Sequence, residues 1–299
     1  MGYLPEIPHI LKTATTGLLT AALAVGGTLA IGATSGTPTA SAAPAGNIVT
    51  FGDSFTSNPD QVRNTFRGAD GELGEWARNY PQTAGCLQAP NNWPRKLAQT
   101  TGRHVDDWSC TAQSSGSLKG RVDHAVRSGA VRNDSTVVIS VGLNDFGPFG
   151  AGDNQNLGLF DPPSVARDFH ANLRTVADRI RSHAPDARIV LTGSLPTVDR
   201  VNTTFCALNV VPDFPLGVPV PPLRDVENWN RDNQRSAAAQ IDAEFVDIMD
   251  GAREHDTCAP DQARYVSGII DTTTPDYNMV FHPSDAGSRH VANTVAARL

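Results

Sequence analysis

Aromatic residues are scarce in this sequence, at 6% of 299 positions, and it contains no run of Lys or Arg. A chain with a formal net charge of −7 and no basic stretch is a poor nucleic-acid binder, so we expect no nucleic-acid partner. The sequence also lacks the G-x-S-x-G elbow of α/β-hydrolases, the phosphate loop G-x-x-x-x-G-K-[ST], the dinucleotide motif G-x-G-x-x-G and the zinc motif H-E-x-x-H. We therefore expect neither a cofactor nor a metal ion.

Charged residues are almost missing from the start of the chain. After Lys12 comes an apolar run over residues 17–32, and Ala40-Ser41-Ala42 then fits the small-x-small pattern of a cleavage site. This pattern predicts a secretory signal peptide over residues 1–42. A retained membrane anchor is the alternative, but Gly and Thr dilute the run and make a stable span unfavourable. We expect a secreted protein with no membrane span once the leader is removed.

Cysteine occurs only four times, and no two cysteines form a C-x-x-C pair. None of them has a histidine at metal-ligand spacing, which argues against a zinc site. An even number of cysteines in an exported chain favours two disulfides. Of the three possible pairings, Cys86–Cys110 and Cys206–Cys258 each close a local loop, and we predict these two.

Strand and helix patterns alternate after the leader, which predicts an α/β fold with a parallel sheet covered by helices on both faces. The run Thr136-Val-Val-Ile-Ser-Val141 is almost wholly β-branched, as in a strand buried on both sides. No linker or repeat divides residues 43–299, so we expect a single domain. The predicted strands are 47–51, 104–110, 136–141, 188–192 and 245–249, and the predicted helices are 93–101, 117–128, 163–183, 226–241 and 286–299. Asn92 is the expected cap of the first helix, and Ser284 or Asp285 that of the last.

Three segments break this alternation, at residues 56–91, 146–163 and 210–223. They follow the first, third and fourth predicted strands, so they should lie over one edge of the sheet, where α/β folds bind ligands. Residues 210–223 are apolar and rich in proline, and we expect no helix there. Two readings stay open for this segment: a stiff connector, or a lid or acyl-binding surface.

Three residues at predicted strand ends could carry chemistry. Ser54 follows the first strand in Gly52-Asp53-Ser54, and a serine there can act as a nucleophile if the fold also supplies a base and an oxyanion site. Asn144 follows the third strand, where its amide can donate to an oxyanion. His282 precedes the last helix, whose dipole favours the neutral imidazole that a general base needs. Each signal alone is also compatible with an ordinary turn or capping residue.

Together these blocks resemble the SGNH (GDSL-type) hydrolase family. Its first block is similar to Phe51-Gly-Asp-Ser-Phe55, its Gly-x-Asn-Asp block matches residues 142–145, and its His-Pro-x-x-x-Gly block matches residues 282–287. The resemblance spans residues 47–299. It implies a flavodoxin-like three-layer α/β/α fold with a five-stranded parallel sheet. It also implies ester hydrolysis through an acyl-enzyme on Ser54 with His282 as general base, the oxyanion being held by the Ser54 N–H, a second backbone N–H and the Asn144 amide.

The sequence departs from the family pattern in two places. The family usually has an aspartate three residues before the histidine, where this chain has Met279. Either a backbone carbonyl near Met279 orients the imidazole, giving the Ser-His dyad of some secreted actinobacterial members, or Asp276 reaches it as the third triad member. The family's glycine block falls on Ala112 or, as the alternative, on Gly116; we place the second oxyanion N–H at Ala112.

The sequence therefore predicts a secreted serine esterase or lipase that acts on small-molecule or lipid acyl esters as a monomer. Two alternatives remain: a carbohydrate esterase that removes acetyl groups, and a non-catalytic binding module of the same fold. Acyl chain length and the alcohol group of the substrate do not follow from the sequence.

Overall fold

A parallel sheet of five strands forms the centre of the protein, in a computed structural model that describes residues 46–299. The predicted signal peptide lies outside the described residues. The strands are β1 Ile48–Gly52, β2 Gln82–Thr83, β3 Cys86–Leu87, β4 Val105–Asp107, β5 Thr136–Ser140, β6 Arg188–Thr192, β7 Thr204–Asn209, β8 Leu216–Pro219, β9 Glu244–Val246 and β10 Ile270–Asp271. The helices are α1 Ser54–Ser57, α2 Gln61–Phe66, α3 Gly71–Arg78, α4 Trp93–Thr101, α5 Ser115–Arg127, α6 Pro148–Asn154, α7 Pro162–His183, α8 Pro221–Gln240 and α9 Asp285–Ala296.

The strand order of the central sheet is β4-β1-β5-β6-β9, with every neighbouring pair parallel. This is the flavodoxin-like order, in which the chain reverses direction beside the first strand. The predicted α/β class and five-stranded parallel sheet are confirmed. Because β1 lies between β4 and β5, the loops that follow these three strands meet at one edge of the sheet.

Two apolar cores cover the two faces of the sheet. Along β5, Val137 and Ile139 point into one core and Val138 into the other, as the two-residue period of a strand requires. The first core is closed by α5, α7 and α8, and the second by α4 and α9. The result is the three-layer α/β/α arrangement that the alternating pattern predicts.

The helix starts follow local side-chain chemistry. The Asn92 side chain accepts a hydrogen bond from the Arg95 N–H at 3.1 Å and so caps the start of α4. The first and last residues of α4 are those predicted. Ser284 caps α9 by accepting from the Gly287 N–H at 3.2 Å. Both caps were predicted, Ser284 as one of two candidates.

The prediction for residues 210–223 was wrong in one respect. Helix α8 begins at Pro221, because proline is tolerated in the first helical turn where its missing N–H has no partner to lose. The same segment contains β8, which pairs antiparallel with β7, while β10 pairs parallel with β7 on the other side. The sequence did not predict this small sheet, whose shortest strand has two residues.

Other boundaries shifted by a few residues. The second and fifth strands of the central sheet, β4 and β9, have three residues each, shorter than predicted. Residues 56–91, expected to be irregular, contain α2, α3 and the hairpin of β2 and β3. The disulfides are Cys86–Cys110 and Cys206–Cys258, the predicted pairs. Over residues 46–299, no helix is long and apolar enough to cross a membrane.

Candidate active site

Ser54 is the first residue of α1 and lies directly after the carboxyl end of β1. The buried Asp53 caps this short helix, its carboxylate accepting from the Phe55 N–H at 2.8 Å. The pKa of Asp53 is raised to about 7, mainly by burial and to a smaller extent by the nearby charge of Asp145. The Ser54 residue itself is half-buried, whereas its neighbour Asp53 is buried.

Asn144 lies in a short 3₁₀ turn, Leu143–Phe146, that follows β5. The turn requires Gly142, whose φ is +140° and whose position leaves only 2.0 Å between an added Cβ and the Asn230 Oδ1. The Asn144 side-chain amide donates to the backbone carbonyl of Gln113 at 3.1 Å. Since an amide nitrogen carries two hydrogens, the second remains for a ligand.

Ala112 lies in the loop after β4, the other neighbour of β1. Its φ is +66°, a left-handed conformation that glycine adopts more easily, which fits a position where related sequences place glycine. The Cys110 N–H donates to the Gly52 carbonyl at 2.9 Å and holds this loop against the end of β1. Gly116 lies inside α5, where a side chain would meet Asp153 and Asn154. The second oxyanion N–H at Ala112 stays a prediction.

Asp145, the last residue of the Gly-x-Asn-Asp block, has a structural role. Its buried carboxylate accepts from the Ser115 N–H at 3.0 Å and from the Ser115 hydroxyl. Burial raises the pKa of Asp145 to about 6. These bonds tie the Asn144 turn to the start of α5, and so to the loop that carries Ala112.

His282 holds one defined tautomer. Its Nδ1–H donates to the Val280 carbonyl at 2.9 Å, and a carbonyl can only accept, so the proton is on Nδ1 and the lone pair is on Nε2. Nε2 is buried and has no hydrogen-bond partner within residues 46–299, so no bond joins it to Ser54 in this structure. Burial lowers the pKa of His282 to about 4. The imidazole packs against the Phe55 ring, with centroids 4.9 Å apart.

Two residues that the sequence gave no reason to select fix the loop that carries His282. The Asn58 side chain, four residues after Ser54, donates to the Pro283 carbonyl at 2.8 Å and is buried. The Ser267 hydroxyl donates its one hydrogen to the Met279 carbonyl at 3.0 Å, with the His282 carbonyl at 3.3 Å as a second, longer acceptor. All three acceptors are backbone carbonyls at least 12 positions further along the chain, and a single sequence holds no signal for such contacts.

Asp276 is exposed, with a left-handed backbone at φ +47°. Because Nδ1 of His282 is bonded to Val280 and Nε2 is unpartnered, Asp276 bonds to neither ring nitrogen. The carbonyl on the imidazole is one residue after Met279, whose own carbonyl accepts from Ser267. The structure thus favours the carbonyl alternative, and a role for Asp276 stays a prediction.

The Ser54 hydroxyl thus follows β1, the Ala112 loop follows β4 and the Asn144 amide follows β5, and the His282 imidazole packs against Phe55, the residue beside Ser54. A serine hydroxyl can attack an electrophilic carbon, an imidazole with a free lone pair can take its proton, and N–H donors can stabilise the resulting oxyanion. This set of groups is suited to acyl transfer.

Comparisons with known proteins agree with this chemistry. The family model described as GDSL-like Lipase/Acylhydrolase matches residues 50–290. Lipase 2 of Streptomyces coelicolor is 25% identical over 307 residues, which cover 94% of this chain and 96% of that protein. Phospholipase A1 of Streptomyces albidoflavus has the same fold, with a TM-score of 0.57 at 14% identity, covering 86% of this chain and all of that one.

The extracellular lipase of Streptomyces rimosus is similar to the same degree, with a TM-score of 0.57 at 16% identity, covering 85% of this chain and all of that one. Structures at this identity show the fold alone, whereas the family match extends over most of the chain. The chain thus belongs to the GDSL-like lipase/acylhydrolase family and is a carboxylic ester hydrolase.

Proposed function

We propose that this protein is a secreted serine esterase or lipase that hydrolyses acyl esters through an acyl-enzyme on Ser54, with His282 as general base. The observation that carries the proposal is the hydrogen bond from the His282 Nδ1–H to the Val280 carbonyl. It leaves a neutral imidazole with its lone pair on Nε2, in a ring that packs on the residue after Ser54. A serine hydroxyl needs such a base because it is a weak nucleophile by itself.

The reaction proceeds in two acyl transfers. Ser54 Oγ attacks the ester carbonyl carbon while Nε2 of His282 takes the hydroxyl proton, and the new oxyanion accepts from the N–H groups of Ser54 and Ala112 and from the Asn144 amide. The C–O bond to the alcohol then breaks, and the imidazolium gives its proton to the leaving alkoxide. A water molecule, deprotonated by the same nitrogen, hydrolyses the acyl-enzyme and restores Ser54.

The apo geometry lacks a hydrogen bond between Ser54 and His282, and hydrogen bonds of this kind often tighten only in the substrate complex. The orienting group on Nδ1 is a carbonyl dipole rather than a carboxylate, which fixes the tautomer but stabilises the imidazolium less. A Ser-His dyad is therefore the mechanism that we propose.

Secretion is the second part of the proposal. The leader pattern of residues 1–42 and two disulfides both favour an oxidising compartment outside the cytoplasm. The similar Streptomyces rimosus enzyme is described as extracellular.

Replacing Ser54 with alanine tests the nucleophile. Turnover of p-nitrophenyl esters by Ser54→Ala should fall by ~10⁴-fold or more, as for a triad serine, with circular dichroism and the unfolding transition unchanged. Ser57→Ala is the matched control, because this hydroxyl in the same helix bonds to the Asp53 carbonyl at 3.1 Å and takes no part in the reaction. Full activity in Ser54→Ala would overturn the mechanism.

The pH profile tests the base. His282 must be neutral to act, and burial lowers its pKa to about 4, so kcat/KM should hold down to about pH 5 and fall as the pH drops through about 4. An imidazole in water would lose activity near its ordinary pKa of about 6.5. Asp53 and Asp145, whose pKa values are raised to about 7 and about 6, also titrate above pH 5, so the profile is repeated with Asp53→Asn, which keeps the helix cap, and with Asp145→Asn. A midpoint near 6.5 in all three proteins would contradict the buried neutral base.

Asp276 decides between dyad and triad. We expect Asp276→Ala to keep kcat within about threefold of the parent, because this exposed carboxylate bonds to neither nitrogen of His282, whereas His282→Ala should lose several orders of magnitude. Steady-state kinetics on one ester compares the three proteins. If Asp276→Ala loses as much activity as His282→Ala, the third member is a carboxylate.

Asn58 tests the alignment of the two catalytic segments. Loss of its bond to the Pro283 carbonyl should lower kcat about ten- to a hundredfold with little change in KM, because small displacements of catalytic groups are costly. Asn58 has φ +40°, so Asn58→Gly removes the bond without backbone strain, and Asn58→Ala removes it with strain. If Asn58→Gly and Asn58→Ala lose kcat to a similar extent although their unfolding free energies differ, the loss of kcat comes from misalignment of the catalytic segments and not from lower stability. An unchanged kcat in Asn58→Gly would remove Asn58 from the mechanism.

A further inference from the structure

The exposed large apolar side chains of residues 46–299 all belong to connections that follow the carboxyl ends of central strands or to the segment shortly before His282. They fall within segments 62–76, 149–160, 201–218 and 269–270. The first three segments follow the carboxyl ends of β1, β5 and β6, and the last precedes His282 in the same loop region. Exposed apolar residues that are scattered singly need no explanation, but their restriction to the edge that carries Ser54 does.

The small sheet of β10, β7 and β8 concentrates these side chains on one face. Leu208 of β7 pairs with Ile270 on one side and Leu216 on the other, and Phe205 pairs with Val218. The register of β7 against β8 shifts between Phe205 and Leu208, so these two residues, three positions apart, face the same way as Leu216 and Val218, and five apolar side chains share this outer face. We call it the apolar sheet face: Phe205, Leu208, Leu216, Val218 and Ile270.

The opposite face of the same sheet is buried. It carries Cys206 in its disulfide, together with Asn209 and Asp271, which bond to each other at 3.1 Å. Val218 and Ile270 on the outer face are 62% and 61% exposed, and every residue of β8 is exposed. Along β7 and β10 the polar, hydrogen-bonded side is therefore buried, while the apolar face is half-buried at Phe205 and Leu208 and exposed at Leu216, Val218 and Ile270, the reverse of what a solvated surface favours.

Aromatic rings connect this face to the catalytic centre. The Phe205 ring packs edge-on against Phe281 at 5.1 Å between centroids, and Phe281 packs edge-on against Phe55 at 6.3 Å. Phe55 in turn contacts His282 at 4.9 Å. The apolar surface is thus continuous with the residue that follows Ser54.

Charge limits what can cover this face. Residues 204–220 contain one formal charge, Asp213, whose carboxylate accepts from the Asp261 N–H at 3.1 Å. The segment has no Lys or Arg, and the whole chain carries a net charge of −7. An anionic membrane would repel such a surface, whereas an uncharged or zwitterionic lipid surface would accept it, because binding then depends on apolar burial.

We propose that the apolar sheet face docks on the surface of uncharged or zwitterionic lipid aggregates and so delivers an aggregated ester to Ser54. The inference deepens the proposed esterase function and rests on it for the role of Ser54. A soluble acetylated glycan needs no apolar docking surface, so it would not account for the apolar sheet face.

Vesicle partitioning tests the docking without catalysis. The Ser54→Ala protein, which cannot consume lipid, should sediment with phosphatidylcholine vesicles at 0.15 M salt, and less with vesicles that contain phosphatidylglycerol. V218D/I270D in the same background should partition at least about tenfold less, because two side chains lose their apolar burial and two charges must be desolvated.

Two further variants control for charge and folding. Q99E/T100E adds the same charge at exposed positions near the end of α4, which runs toward the opposite edge of the sheet, and should bind as the parent does. V218T/I270T keeps β-branched side chains that suit a strand and should show an intermediate loss even if the aspartate variant unfolds. Unfolding transitions identify any variant that does not fold.

Several outcomes would overturn the proposal: equal partitioning of V218D/I270D and its parent, binding to anionic vesicles alone, or a dimer in sedimentation that V218D/I270D abolishes while no vesicle binds. The last would make this face an interface between two copies.

Hydrolysis of soluble p-nitrophenyl acetate separates this test from the proposed function. A wild-type chain that binds vesicles but hydrolyses no ester would refute the catalytic mechanism and leave the docking surface standing, whereas an active V218D/I270D enzyme with lost vesicle binding supports both.

Discussion

The position of β1 between β4 and β5 is the constraint on which the site depends. Parallel pairing of these three strands brings their carboxyl ends to one edge, and the Cys110 N–H bonded to Gly52 at 2.9 Å and the Asp53 N–H bonded to Ser140 at 3.3 Å continue the pairing into the loops. Ser54, the Ala112 loop and the Asn144 turn therefore hold fixed places. His282 does not follow a strand of the central sheet. The hydrogen bonds from Asn58 and Ser267 to its loop fix the position of His282, as strand pairing fixes the other three segments.

The same edge holds three buried carboxyl groups, which sets a pH dependence for the fold. Burial raises the pKa of Asp53 to about 7 and that of Asp145 to about 6. The third group is Glu227, which accepts from the Thr197 N–H at 2.6 Å; burial raises its pKa to about 7. Between pH 4 and 7 the folded protein therefore holds more protons on these groups than the unfolded chain, and their contribution to stability decreases as the pH rises through that range. His282 acts in the opposite sense, since its lowered pKa favours unfolding as the pH falls below about 6.5.

The sequence allowed prediction wherever a local pattern determined the outcome. The β-branched run of β5, the Asn92 cap of α4 and the Ser284 cap of α9 each act within a few residues. The small sheet was missed because β10 has two residues and pairs with a strand more than 60 positions away, which leaves no periodic signal. Ser54, Asn144 and His282 came from motif blocks at predicted strand ends. Asn58 could not be predicted, because its partner is the carbonyl of a residue 225 positions further along the chain.

The fold also explains why polar chemistry and exposed apolar surface occur together. In a parallel sheet every connection that leaves a carboxyl end can lengthen without disturbing the core, and here the long connections follow β1, β5 and β6. Their exposed apolar side chains thus belong to the connections at the edge that carries Ser54, Asn144 and a buried imidazole. The ring series from Phe205 through Phe281 to Phe55 joins one of these connections to the residue beside Ser54. An acyl chain would lose less free energy by desolvation on this path than a hydrated sugar would, since hydroxyl groups buried against phenyl rings find no hydrogen-bond partner.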